Sequence, residues 1–222
     1  MPLPPKHFYM IRHGQTEANK KEVMAGSTDS PLTELGREQA RAVQRIVSAL
    51  DIKPKSIIHS DLSRARDTAR IINEVLNIPM HEEPKVAEIH SGDWEGKPWA
   101  ECEALLDGWP TPPNGESFVE FCTRIKEGKK HHLDRHDDPV LIVCHGGVFR
   151  GLGGIYGLNT PGIFENCHLY EFQPDISNTY FPWNVWNYRF VDDALIRSQS
   201  HIFHESVVYH HIEESAEKTA KA

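Results

Sequence analysis

The chain has 222 residues, 39% hydrophobic and 25% charged, with a formal net charge of -8 when histidine is neutral. This composition fits a globular protein with one sizeable core, excludes a low-complexity chain, and disfavours broad binding to nucleic acid or anionic membranes while allowing a small basic pocket. Cys102, Cys122, Cys144 and Cys167 form no Cys-x-x-Cys pair, so neither a zinc framework nor a redox dithiol is expected; with no signal-like apolar run and no stretch of membrane-spanning length, the expected location is the cytoplasm.

Residues 7–12 predict a short buried strand that breaks abruptly into Arg12-His13-Gly14. In an α/β sheet, ligands bind at the carboxyl ends of strands, and a cation, an imidazole and a turn-permitting glycine there suit an anion beside a nucleophile. Thr16 and Asn19 add neutral hydrogen-bonding groups. Taken alone, these residues fit an ordinary strand end with a solvated Arg-His pair equally well.

A polar loop, residues 22–31, contains Ser27 and Thr28. Thr33 then caps a predicted helix whose apolar positions are Leu35, Val43, Ile46 and Leu50. Residues 55–60 predict a second strand and residues 62–76 a second helix, and this alternation implies parallel strands joined by right-handed crossovers. Arg64 falls in the first turn of that helix, where free backbone N-H groups favour an anion and a guanidinium adds a bidentate grip. Arg66 and Arg70 read as solvated charges.

Periodicity weakens from Pro79 to Lys126, as expected of an irregular cap (about 88–126) over an active site, with a helix predicted over 116–126. Glu88, between Ala87 and Ile89, has an apolar setting suited to holding a proton for a leaving group. Asp93, Glu95 and Glu101 read as solvated. Trp94, Trp99 and Trp109 are placed either to pack the cap or to touch a leaving group.

Residues 140–144 predict a strand buried on both faces at the centre of the sheet. It ends in His145-Gly146-Gly147, and a helix is predicted over 148–156. Residues 166–172 and 184–190 alternate as late strands, with Trp183 and Trp186 in the core or on the sheet. His201, His204, His210 and His211 in the tail show no metal-ligand spacing and read as a solvated or loosely helical segment.

Five ordered blocks resemble the histidine phosphatase, or phosphoglycerate mutase-like, superfamily: Arg12 to Thr16 with Asn19, Asp29 to Gly36, Ser60 to Ala69, Glu88 to Gly96 with Gly115-Glu116-Ser117, and Cys144 to Arg150. The resemblance implies one domain over 1–222, with a motif-bearing core about 7–173 and an extension about 174–222. The implied fold is a three-layer α/β/α sandwich with a mostly parallel central sheet and a cap insertion. The implied reaction is hydrolysis of a small phosphate ester through a phosphohistidine, with no cofactor and no metal. His13 and Glu88 are the implied catalytic residues, Arg12, Arg64, His145 and Asn19 the phosphate-binding ones, and Ser27, Thr28 and Trp94 the candidates for specificity.

The run Glu88-Ile-His-Ser-Gly-Asp-Trp-Glu-Gly96 looks like the small phosphatase branch rather than the bisphosphoglycerate-dependent mutases, which remain the main alternative. Two others are a cysteine-dependent phosphatase using the Cys144-x5-Arg150 spacing and a non-catalytic phospho-ligand module. No nucleic-acid or membrane partner is implied, and a homo-oligomer is compatible with the sequence.

Overall fold

The computed structural model describes residues 2–103, 109–136, 138–158, 160 and 164–203. In chain order the elements are β1 (Phe8–Arg12), α1 (Glu17–Lys20), α2 (Glu34–Ala49), β2 (Ser56–His59), α3 (Ser63–Leu76), β3 (Met80–Glu82), α4 (Trp99–Glu103), α5 (Phe118–Arg135), β4 (Val140–Cys144), α6 (Gly146–Ile155), β5 (Leu169–Pro174), β6 (Trp183–Val191) and β7 (Ala194–Gln199). Short 3₁₀ turns occupy Pro84–Val86 and Gly92–Trp94.

The strands form one open sheet in the order β3-β2-β4-β1-β5-β6-β7. β3, β2, β4 and β1 pair in parallel, and β5, β6 and β7 follow in antiparallel pairings, so β6 runs with the first four and only β5 and β7 run against them. This is the mostly parallel sheet expected. Strand alternation explains the layers. Met10, Ile58, Ile142 and Cys144 turn to one face and meet Phe121, Ile125, Phe149 and Leu152 of α5 and α6. Ile11, Ile57, Leu141 and Val143 turn to the other and meet Val43, Val47, Ala65 and Ile72 of α2 and α3.

Several local readings change. Leu35 is 48% exposed rather than core, because α2 buries the face carrying Gly36, Ala40, Val43 and Val47. Gly36 lies so close to the chain that a Cβ there would stand 2.1 Å from the Gln15 carbonyl oxygen, which fixes the helix's rotation. The helix expected over 116–126 runs to Arg135, since Lys129 and His132 occupy core-facing positions and interrupt the hydrophobic period. The segment after residue 174 is not an appendage up to Gln199: β6 and β7 extend the sheet, and Trp183 is buried against Phe8. His201 is exposed, while His204, His210 and His211 lie outside the described residues.

Lys129 is 1% exposed, with Nζ 2.7 Å from Met10 Sδ and 4.9 Å from the centre of the Phe8 ring. Burial without a carboxylate partner pushes its ammonium down to about 7. The unfolded chain holds that proton up to about pH 10.4, so burial of Lys129 costs most below pH 7 and progressively less as the pH rises between the two values. Lys129→Met should therefore be more stable at pH 6.5, by on the order of 4 kcal/mol, and the advantage should shrink toward pH 10. Urea unfolding of both proteins across that range checks this; a pH-independent difference would contradict it.

Candidate active site

The site forms where β1 and β4 end side by side. Arg12 pairs with Cys144 in the parallel register, and the His13 backbone N-H donates to the Cys144 carbonyl at 3.0 Å. His13 and His145 therefore leave neighbouring strands at one level, with ring centres 5.1 Å apart. Arg64 comes from the first turn of α3, beyond β2, and Glu88 reaches in from the loop after the first 3₁₀ turn. The sequence-predicted cluster of Arg12, His13, Arg64, Glu88 and His145 is thus brought together.

The two imidazoles are held in opposite tautomers. His13 Nδ1 lies 2.7 Å from the Gly14 carbonyl oxygen, which can only accept, so Nδ1 carries the hydrogen and Nε2 keeps its lone pair. Arg64 Nε, which can only donate, lies 3.3 Å from His145 Nδ1, so in the second ring the hydrogen is on Nε2. That Nε2 is buried and has no partner among the described residues; the same holds for Arg12 Nε. One bare ring nitrogen and two unmatched donors is an arrangement suited to an anion beside a nucleophile.

Electrostatics reinforces the tautomers. Burial, then Arg64 and Arg12, holds His13 well below the ordinary imidazole pKa, and burial with Arg64, His13 and Arg12 does the same to His145. Burial also lowers both guanidiniums, an effect the facing Glu88 carboxylate opposes. Arg64, 2% exposed, donates through Nη2 to the Gly26 carbonyl at 2.7 Å and through Nη1 to that of Thr28 at 2.9 Å, with Asp29 Oδ1 3.7 Å away. Arg12 Nη1 donates to the Phe164 carbonyl at 2.7 Å.

Glu88 is held by polar groups rather than by the apolar flanks of its sequence neighbours. Its Oε2 accepts from the Gly147 N-H at 3.0 Å and its Oε1 from the Ile89 N-H at 2.9 Å. A Cβ on Gly147 would stand 2.0 Å from Glu88 Oε1, so a larger residue there would push the carboxylate away from the α6 amino end. Asn19 lies at the edge of the cluster: its Oδ1 accepts from the Thr16 N-H in the capping box of α1. Asn166 donates to the His13 carbonyl at 2.8 Å.

The specificity candidates are placed differently from expectation. Ser27 and Thr28 give both backbone N-H groups and both hydroxyls to Glu95. Trp94 is buried with Met24 and Cys102, the cap-packing role of the two expected for it. Trp99 is 41% exposed, and Trp109 stacks on Phe118 at 4.5 Å.

Glu95, expected to be solvated, is instead the anchor of the 26–28 loop. Burial would raise its pKa, but hydrogen bonds from Thr28, Ser27 and the Ser91 N-H outweigh this and lower it. Arg124, which carries no local signal in the sequence, pins the Glu88 main chain through a 2.9 Å bond to the Glu88 carbonyl and holds Glu116 through two bonds of 2.8 Å.

The Cys144-x5-Arg150 alternative fails on geometry. Cys144 is fully buried in the sheet core, where burial pushes its thiol up to about 12. His145 is followed at once by α6 rather than by an anion-binding loop, and Arg150, in that helix, donates to the Thr160 carbonyl. Among the described residues no group of three or more His, Cys, Asp or Glu side chains is disposed to hold a metal ion.

A family model described as histidine phosphatase superfamily (branch 1) matches residues 8–172. The chain belongs to this superfamily. Among its members, the chain is 34% identical over 165 residues to a glucosyl-3-phosphoglycerate phosphatase of Mycolicibacterium vanbaalenii, covering 66% of this chain and 72% of the relative. It is 36% identical over 194 residues to a probable phosphoglycerate mutase of Photorhabdus laumondii, covering 79% and 86%. Among solved structures, a mycobacterial glucosyl-3-phosphoglycerate phosphatase in complex with VO3 superposes with a TM-score of 0.70 at 27% identity, over 81% of this chain and 97% of that one.

Removing a cation beside His13 should raise the pKa of its ring. In Arg64→Met the His13 protonation midpoint, followed by NMR of ring-labelled protein, should move upward from its depressed position. A wild-type ring that titrates in the ordinary imidazole range, or a midpoint unmoved by the substitution, would contradict this electrostatic account.

Proposed function

We propose that the protein is a phosphomonoester hydrolase acting through a phosphohistidine on His13, without a metal ion. The observation that carries this reading is the pair of opposite tautomers: His13 offers a bare Nε2 while the N-H of His145 Nε2 and that of Arg12 Nε have no protein acceptor. In the first step His13 Nε2 attacks phosphorus, the ester P-O bond breaks, and Glu88 in its acid form protonates the departing oxygen. In the second step water attacks the phosphohistidine, Glu88 accepts the water proton, and the N-P bond breaks to release phosphate. Arg12 and Arg64 balance the charge on the equatorial oxygens, and His145 donates its neutral Nε2-H to them, with Asn19 as a further neutral contributor.

Metal independence rests on that countercharge from two guanidiniums and on the imidazole N-H. We further propose one catalytic domain, with the cap as part of it, working in the cytoplasm; the four cysteines are all free, and among the described residues no helix is long and apolar enough to cross a membrane. A mutase is the second reading, favoured by the 36% identity to the probable phosphoglycerate mutase. A non-catalytic phospho-ligand module is disfavoured because no member of the catalytic set is missing.

The test is turnover of p-nitrophenyl phosphate with a metal chelator present. Wild type and Cys144→Ser should be active, and His13→Ala should lose at least about 1,000-fold in kcat/KM. Chelator-sensitive activity would contradict metal independence, and an inactive Cys144→Ser with a competent His13→Ala would overturn the choice of nucleophile.

A further inference from the structure

Beside Glu88 opens a cleft of about 520 Å³ whose polar walls come from Ser27, Glu88, His90, Glu116, Glu120 and Arg124. The cleft adjoins Glu88, the residue assigned to protonate the departing oxygen, and meets the His13 site through that side chain. Its hydrogen-bonding capacity can be counted.

Arg124 contributes the one guanidinium among the lining residues, and none of it is available. Its Nε donates to Glu116 Oε1 at 2.8 Å, Nη2 to Glu116 Oε2 at 2.8 Å and to the Glu88 carbonyl at 2.9 Å, and Nη1 to the Lys85 and Ala87 carbonyls at 3.0 Å each. A guanidinium has five N-H groups, and all five are spent. Glu116 is correspondingly satisfied, its Oε2 also accepting from the His90 N-H.

What remains is mostly acceptors. Glu120 uses Oε2 for the Ser117 N-H and hydroxyl, at 2.9 and 2.6 Å, and its Oε1 makes no hydrogen bond among the described residues. Those same Ser117 bonds lower the Glu120 carboxyl, which keeps it ionised near neutral pH. The Ser27 hydroxyl donates to Glu95 and so presents only lone pairs to the cleft. Glu88 accepts one backbone N-H on each oxygen, and in its acid form it directs its proton to the departing oxygen. The exposed His90 ring can play either role.

We propose that the leaving group occupies this cleft and is a donor-rich alcohol without negative charge, a polyol or an amino alcohol, and that a carboxylate beside the ester is rejected. This rests on the phosphatase reading and narrows its substrate class. A hydroxyl or ammonium meets free acceptors in the cleft, whereas a carboxylate meets the ionised Glu120, and among the lining residues no guanidinium or ammonium is free to receive it. The mutase reading, which requires a carboxylate-bearing ligand in this cleft, is disfavoured by the same count.

Glycerol 3-phosphate and 3-phosphoglycerate differ at one carbon, CH2OH against carboxylate, and make the test direct. Wild type should prefer glycerol 3-phosphate by at least about tenfold in kcat/KM. Glu120→Gln retains an acceptor for Ser117 and should narrow that ratio about threefold or more, as expected for loss of one exposed charge; taking the ratio within each protein cancels any loss of folded enzyme. Equal or better turnover of 3-phosphoglycerate by wild type, or a ratio unchanged in Glu120→Gln, would overturn the inference while leaving the phosphatase reading intact. No turnover of p-nitrophenyl phosphate in the same preparation would overturn the phosphatase reading, and the inference with it.

Discussion

Arg12 and Cys144 are register partners on adjacent parallel strands, and the placement of the site follows from that pairing. A parallel ladder advances both chains in the same direction, so the residues that follow, His13 and His145, emerge together at the carboxyl edge of the sheet. The ladder continues one step beyond the strands, through the His13 N-H to the Cys144 carbonyl, which keeps the two exits in step. A slip of one residue would turn one of the two histidines to the opposite face of the sheet. The buried rows on both faces, Met10 with Ile142 and Ile11 with Val143, oppose such a slip and make the hydrophobic core the positioning device for the chemistry.

On that frame the protein gathers buried positive charge. Arg12 and Arg64 stand beside two histidines kept neutral by the same desolvation and the same cations. Such a site is costly without a counter-charge, and Glu88 supplies part of it. On the proposed function, a phosphate dianion would supply the rest, and its binding energy and the nucleophilicity of His13 would then have one electrostatic origin. Arg64 couples the parts: it sets the His145 tautomer, holds the Gly26 and Thr28 carbonyls, and depresses both imidazoles. The 26–28 loop is clamped from its other side by Glu95, which ties the cap to Arg64.

Legibility from sequence followed the physics of each part. Strands such as Val140–Cys144, buried on both faces, and the residues at their ends stand in one local stretch, and short motifs located them. The helix through Arg135 extends past the end that hydrophobic period predicts, because Lys129 and His132 face the core and that period cannot register them. β3, three residues long at the sheet edge, is too short to show any period. Glu95 and Arg124 were missed because their roles depend on partners far along the chain, and a charged residue beside glycines or in a polar helix looks solvated until those partners are known. Of the two roles that the sequence allows Trp94, its burial with Met24 and Cys102 matches cap packing.

The central claim is that the Gly14 carbonyl, by holding Nδ1-H of His13, leaves Nε2 as the atom that takes the phosphoryl group. The measurement that meets it most directly is to trap the phosphorylated protein during turnover and determine the modified atom by 31P NMR and peptide mapping. The account requires phosphate on Nε2 of His13. Phosphate on Nδ1 of His13, on His145 or on Cys144 would contradict it.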